Sequence, residues 1–382
     1  MEVKKLKECC TIIAGQSPES KYYNSNGDGL PFFQGKADFG ELYPSIRVYC
    51  SQPTKIAEKD DILLSVRAPV GPTNLAPCKV CIGRGLTAIR PSEVLLTRYV
   101  LLFFRYFEAQ LASKGTGTTF KAITQDVVKN LEIPIPPLSE QERIVARIEE
   151  LFSQLDAGVE TLKKTKAQLA VYRQAVLKDV FDGAIGCKTD TIQSVCSNIV
   201  DCPHSTPKWV GDGKICLRTT NFKRGYLDLS EKNYVSEETF DKRNARLIPQ
   251  PGDVLYSREG AILGIACIIP EDLFVCLGQR MMLLRVNEKM LGRFLMHYLN
   301  SPKVTSFVAT KTGGSASPHV NVGDIKGFVV PIPPISEQQK MLEQIESRLS
   351  VCDSIEQTVD TALQQAEDMR QSILKDAFEG RL

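Results

Sequence analysis

The spacing of apolar positions along the chain changes twice, in the same way both times. Over residues 1–130 and again over 187–330 they come as short runs bounded by Gly, Pro, Asn and Asp. Asp61-Ile-Leu-Leu-Ser-Val66, Leu86-Thr-Ala-Ile89, Asp253-Val-Leu-Tyr256, Ile262-Leu-Gly-Ile-Ala266 and Met281-Met-Leu-Leu-Arg-Val286 are examples. Runs of that length between turn formers predict strands. Longer helical stretches are predicted at 97–112 and 289–300, so each region reads as α+β around a small sheet or barrel. From 139 and from 336 the apolar spacing becomes three and four. The first stripe is Ile144, Ile148, Leu151, Leu155, Val159, Leu162, Leu169, Tyr172 and Val176; the second is Leu342, Ile345, Leu349, Cys352, Val359, Ala366, Met369 and Ile373. One apolar stripe on a polar cylinder buries itself by pairing, most simply with the other stripe as a coiled coil. The residues expected in that seam are Ile144, Ile148, Leu155, Val159, Leu162, Leu169, Ile345, Leu349, Val359, Met369 and Ile373.

Each helix has start and stop signals. Ser139-Glu-Gln-Glu142 and Ser336-Glu-Gln-Gln339 fit a capping box, and Gly183 and Gly380 fit the residue that follows a helix end. No proline falls between, and about 44 helical residues span roughly 65 Å.

The two halves are one text written twice. Pro134-Ile-Pro-Pro-Leu-Ser-Glu-Gln141 returns as Pro331-Ile-Pro-Pro-Ile-Ser-Glu-Gln338, and the register holds without a gap to Gly183 and Gly380, with 20 of 50 positions identical. Upstream the match weakens. Asp61-Ile-Leu-Leu-Ser65 resembles Asp253-Val-Leu-Tyr-Ser257, followed by Arg67 and Arg258, and Lys114-Gly-Thr-Gly-Thr118 faces Lys311-Thr-Gly-Gly-Ser315. The expected layout is a variable domain over 1–138, a long helix over 139–185, a second variable domain over 186–335 and a second long helix over 336–382.

The net charge of +2 hides a pattern that follows this layout. Residues 1–138 carry 17 Lys/Arg against 13 Asp/Glu, and 186–335 carry 18 against 14; the helical segments carry 7 against 8 and 5 against 10. Positive charge thus recurs in the variable segments, which favours an anionic ligand there. The longest apolar run, Ala261 to Pro270, is far short of the ~20 residues a membrane helix needs, and the N-terminus leads into no signal region. Twelve scattered cysteines suit a reducing cytoplasm. Cys78-Lys-Val-Cys81 has a zinc-like spacing but no second pair, so no metal is expected.

Polar loops in the variable segments hold the candidate contacts. Lysines, flexible glycines and hydroxyls suit phosphate, and Arg and Asn suit guanine and adenine edges. In the first segment these are Lys36, Arg67, Arg84, Lys114, Thr116, Thr118 and Lys121. In the second they are Arg218, Thr220, Asn221, Lys223, Arg258, Arg280, Lys311, Ser315, His319 and Asn321. Each alone reads more readily as a solvated loop residue than as a base contact; the set at repeated places points to nucleic acid.

The two Pro-Ile-Pro-Pro-[Leu/Ile]-Ser-Glu-Gln helices, each ending Leu-Lys-Asp-x-Phe-[Asp/Glu]-Gly, resemble the DNA specificity subunit of type I restriction-modification systems over the whole chain. The resemblance implies an α+β fold in which two β-rich target-recognition domains each read half of a bipartite site in double-stranded DNA. It implies that the two long helices form an antiparallel coiled coil, related by a pseudo-two-fold repeat, that fixes the gap. It further implies two methyltransferase subunits that bind S-adenosylmethionine, and restriction subunits that use ATP and magnesium; this chain itself would bind no cofactor and hold no catalytic residue. Two rivals fit less well. A self-contained methyltransferase or nuclease lacks its glycine-rich cofactor loop and catalytic runs in this sequence. A plain coiled-coil adaptor leaves the duplicated, positively charged domains unexplained.

Overall fold

The computed structural model describes residues 2–116, 122–184, 186–260, 262–311 and 318–382. It divides into two compact units: Met1–Leu162 with Asp360–Leu382, and Lys163–Val359. Each unit therefore takes one globular domain together with a piece of both long helices.

The first domain is built on a four-stranded antiparallel sheet of β1 (Cys10–Ala14), β2 (Ile62–Ser65), β3 (Thr73–Leu75) and β4 (Leu86–Pro91), in the order β1-β4-β2-β3. The second domain repeats it with β5 (Cys196–Asp201), β6 (Val254–Ser257), β7 (Ala266–Ile268) and β8 (Met281–Val286), in the order β5-β8-β6-β7. The strands read as unbroken apolar runs because both faces are covered. Ile62 and Leu64 pack toward helix α1 (Thr97–Ser113), while Leu63 packs on the other face against Phe33, Val80 and Ile82 of a smaller sheet. In the second domain Val254 and Tyr256 face the helical side and Leu255 the opposite core. In both small sheets one strand pair is parallel: Leu30–Phe33 with Val80–Ile82, and Lys214–Leu217 with Cys276–Leu277. A two-stranded ribbon then returns the chain to the start of its domain, Glu2–Lys5 with Glu132–Ile135 and Thr189–Thr191 with Val329–Pro331.

Helix α2 (Leu138–Asp182) and helix α5 (Ile335–Phe378) follow these ribbons directly. Both start two residues earlier than the capping-box reading expects. The Pro137 carbonyl accepts from the backbone N–H groups of Glu140 and Gln141 at 2.9 and 3.0 Å, and Pro334 does the same for Glu337 and Gln338 at 2.8 and 3.0 Å. Ser139 and Ser336 thus lie inside the first turn, and the glutamines do the anchoring. Gln141 is fully buried. Its Oε1 accepts from the Leu96 N–H at 2.8 Å, and its Nε2 donates to the carbonyls of Val94 and Pro136 at 2.8 and 2.9 Å. Gln338 repeats this on Leu291, Lys289 and Pro333, at 2.9, 2.8 and 2.9 Å. Each long helix is thereby latched to the loop that starts α1 or α3 (Gly292–Leu299). At the far end Gly380, at φ 75°, closes α5 with bonds from its own N–H to Ala377 and from Arg381 to Asp376, the glycine-terminated helix end.

The expected helical stretch over 289–300 is the single helix α3, and a further helix, α4 (Pro302–Lys311), follows it. Pro302 brings no N–H, and Asn300 leaves the helix to exchange two hydrogen bonds with Ala266 of β7, at 2.8 and 3.0 Å.

Within each unit the long helices run antiparallel. In the first, Arg143 meets the Leu382 carbonyl and Arg370 meets Asp156. In the second, Arg173 holds Asp353 and Glu356 at 2.6 and 2.8 Å, and Arg348 holds Asp179 at 2.7 Å. Their ends enter the domain cores. Ile144, Val145 and Ile148 share the first core with Leu374 and Ala377, and Ile373 packs against it. Leu342 and Ile345, with Leu349 alongside, share the second core with Leu177, Val180 and Phe181. Leu169 and Val359 are buried, and Leu155, Val159 and Leu162 are half-buried. Met369 is the exception among the expected seam residues: it is 54% exposed. Ala366, Ile373 and Ala377 carry the inward stripe, and Arg370 turns in instead, over the Phe152 ring and onto Asp156. One residue along a helix is a 100° turn, which is enough to put Met369 in water.

His297 of α3 is buried; Glu346 stands 4.0 Å from its ring but is already engaged by Arg293 at 2.8 Å. Burial, reinforced by the Arg293 charge, lowers the His297 pKa to about 4 and keeps the ring neutral. An unfolded chain takes up this proton near pH 6.5, so stability is lost as pH falls from 6.5 toward 4. Urea unfolding of H297Q across that range should show a loss shallower than wild type, by up to about 3 kcal/mol at the acid end. The glutamine latches give a second expectation. Q141L or Q338L should destabilise its domain by about 2–3 kcal/mol, because a buried N–H and two carbonyls lose their partner. Thermal unfolding of the single variants measures it.

Candidate nucleic-acid interface

One end of each four-stranded sheet forms an equivalent rim, built from the same backbone hydrogen bonds. In the first domain Val66 donates to Gly85 at 2.9 Å and accepts from Ile123 at 3.0 Å, and Arg67 forms a bridge with Ala122. In the second, Arg258 donates to Arg280 at 3.0 Å and accepts from Val320 at 2.9 Å, and Glu259 forms a bridge with His319. The match keeps the register that sets Ser65 beside Ser257, and corrects the pairing of Arg67 with Arg258 by one residue. Arg258 is the counterpart of Val66, and Arg67 is the counterpart of Glu259. A one-residue slip in extended chain exchanges inward and outward side chains. Val66 and Arg258 are indeed both buried, at 8% and 7% exposure.

Arg258 is therefore no surface reader. It holds Asp201 in a two-pronged ion pair at 2.8 and 3.1 Å, and the exposed His204 ring reaches the same carboxylate at 3.1 Å. Asn221 is also withdrawn. It is buried, with its Oδ1 accepting from the Arg218 N–H at 2.9 Å and its Nδ2 donating to Asp228 and Glu231 at 3.0 and 2.9 Å. Asp61 and Asp253 of the repeated strand motif are structural as well. Both are buried and clamp an arginine of the neighbouring strand, Arg90 at 2.8 Å and Arg285 at 2.7 Å.

Among the described residues, most of the other candidates lie at or beside the rims. In the first domain Arg67, Arg84, Lys114 and Thr116 are exposed. Lys114 follows α1 with its ammonium over the Phe107 ring, and Thr116 exchanges backbone bonds with Ala122. Lys36 follows Gln34–Gly35, which lies so close over Gly85 that a Cβ there would meet the Gln34 carbonyl at 2.2 Å. In the second domain Arg280 is exposed, with φ 68° and its Nε 3.9 Å from Glu259. Exposed His319 and Asn321 flank Val320, and Asn321 bonds Asp324 at 3.3 Å. Arg218 stands over the exposed Trp209 ring beside Gly278, with Thr220 nearby. Lys223 is set apart, on Asp228 at 3.7 Å. Thr118, Lys121 and Ser315 lie outside the described residues, as does the side chain of Lys311. Sequence reasoning missed Asp201, His204 and Glu259, since their partners are distant in the chain and only strand register brings them together.

The type I restriction modification DNA specificity domain matches residues 1–170 and again 207–365. The chain belongs to this family. Its relatives include a putative type I restriction enzyme MjaX specificity subunit of Methanocaldococcus jannaschii, 40% identical over 47% of this chain and 41% of that protein. The EcoBI specificity subunit of Escherichia coli is 25% identical over 76% of this chain and 67% of that protein. A solved chain from a study of complex assembly and conformational transition of the type I R-M system superposes with a TM-score of 0.72 at 20% identity, over 100% of this chain and 98% of that one, a likeness of fold. The family's role is recognition of DNA sequence, which agrees with the rims as candidate surfaces. No helix among the described residues is long and apolar enough to cross a membrane.

Lys114 gives a direct test of the rim as a phosphate-facing surface. K114A should weaken binding to all duplexes alike and flatten the dependence of log affinity on log salt by about one unit. Titrations at several salt concentrations measure this, and a loss confined to one base pair would make Lys114 a base reader instead.

Proposed function

We propose that this chain is the specificity subunit of a type I restriction-modification complex, with each domain reading half of a bipartite DNA site through its rim. The observation that carries the reading is the duplicated rim. The same backbone scaffold recurs in both domains and presents Arg67, Arg84 and Lys114 in one and Arg218, Arg280 and His319 in the other. Two matching scaffolds with different side chains suit two different half-sites. The paired helices set the spacing and dock two methyltransferase subunits, which carry S-adenosylmethionine. Restriction subunits, where present, bring ATP and magnesium, and the complex works in the cytoplasm on host DNA. The chain supplies recognition to the complex and no reacting group.

The modular reading has a simple test. Replacing residues 1–138 by the same region of a relative should change one half-site of the methylated motif and leave the other half-site intact. Methylated adenines mapped in cells that express the hybrid with its methyltransferase subunits give the answer, and a change in both half-sites would sink the reading.

A further inference from the structure

Positions 67 and 259 are the same place in the two domains, yet one carries Arg and the other Glu. The equivalence rests on three matched contacts. Arg67 and Glu259 form equivalent antiparallel backbone bridges, with Ala122 and His319; their preceding residues accept from Ile123 and Val320; and those same residues donate to Gly85 and Arg280. Arg67 is exposed, and the Glu259 side chain retains 29% exposure amid Arg280, His319 and the buried Arg258.

A carboxylate on a DNA-facing rim is chemically selective. Phosphate oxygens and the O6 and N7 edge of guanine are acceptors and repel it. The groups it can accept from are the exocyclic amino groups, N4 of cytosine or N6 of adenine. An arginine at the same place has the opposite preference, for the two acceptors of guanine. The alternative role for Glu259 is that of counter-ion to Arg280. That pair is 3.9 Å apart with the arginine 54% exposed, a geometry that contributes little.

We propose that Arg67 and Glu259 are matched specificity determinants, Arg67 reading a guanine edge in one half-site and Glu259 an amino group of cytosine or adenine at the corresponding position of the other. This rests on the rims being the DNA-reading surfaces. It makes the two half-sites differ in donor–acceptor sense at a defined place, through one side chain each.

The test uses the full chain expressed with its own methyltransferase subunits in cells lacking other adenine methylation, with modified motifs mapped across the genome. E259Q and E259A should relax or change one base pair of the second half-site, with discrimination there falling about ten- to a hundred-fold and the first half-site intact. R67A should do the same to the first half-site alone. Binding of the purified complexes to a random-sequence duplex serves as the control and should be kept within a few-fold for E259Q. An unchanged second half-site in E259Q and E259A would overturn the inference. So would equal weakening on specific and random DNA, which would make Glu259 a brace for Arg280. A wild-type complex that methylates no bipartite motif would instead remove the functional reading beneath it.

Discussion

The structure depends on one constraint: neither domain completes its core without the ends of both long helices. Ile144 and Ile148 from the start of α2 meet Leu374 and Ala377 from the end of α5 in one core, while Leu342 and Ile345 meet Leu177, Val180 and Phe181 in the other. The buried glutamines set the entry angle. Gln141 and Gln338 each tie a helix start to the loop opening α1 or α3, using both ends of the amide. An apolar side chain could fill the same space, but it would leave the Leu96 or Leu291 N–H buried without a partner.

This constraint explains why the two halves of the repeat have diverged unequally. A residue on α2 or α5 must satisfy the opposite helix and, near the ends, a domain core as well. Its replacement is felt twice, and 20 of 50 positions in this region remain identical between the copies. The rims are constrained in the opposite sense. Their backbone bonds are shared, Val66 to Gly85 and Ile123 in one domain and Arg258 to Arg280 and Val320 in the other. Their outward side chains bear no such load, so the same scaffold can present Arg67 in one copy and Glu259 in the other.

Ion pairing plays different parts in the two places. Asp61 with Arg90, Asp253 with Arg285 and Asp201 with Arg258 each have a buried carboxylate or guanidinium and good two-pronged geometry, so they pin strands. Removing one partner of such a pair leaves an uncompensated charge. The pairs along the helices, such as Arg348 with Asp179, are more exposed and contribute little stability.

The sequence by itself determined the long helices, the duplication, the strand-forming runs and the family. These rest on local periodicity and on a motif repeated at constant offset, which survive reading one residue after another. Of the seam residues it named, all but Met369 are buried or half-buried; Met369 faces water because a long helix offers several faces and only the partner decides which is buried. Tertiary structure alone decided the rim. Arg258 looked like the partner of Arg67 along the chain, but strand register turns it inward onto Asp201 and turns Glu259 outward. Asn221 looked like a base reader and is spent on its own loop. A side chain's direction in extended chain alternates with every residue, so a shift of one in alignment reverses its meaning, and only the hydrogen-bonded pairing of distant segments settles which way it points.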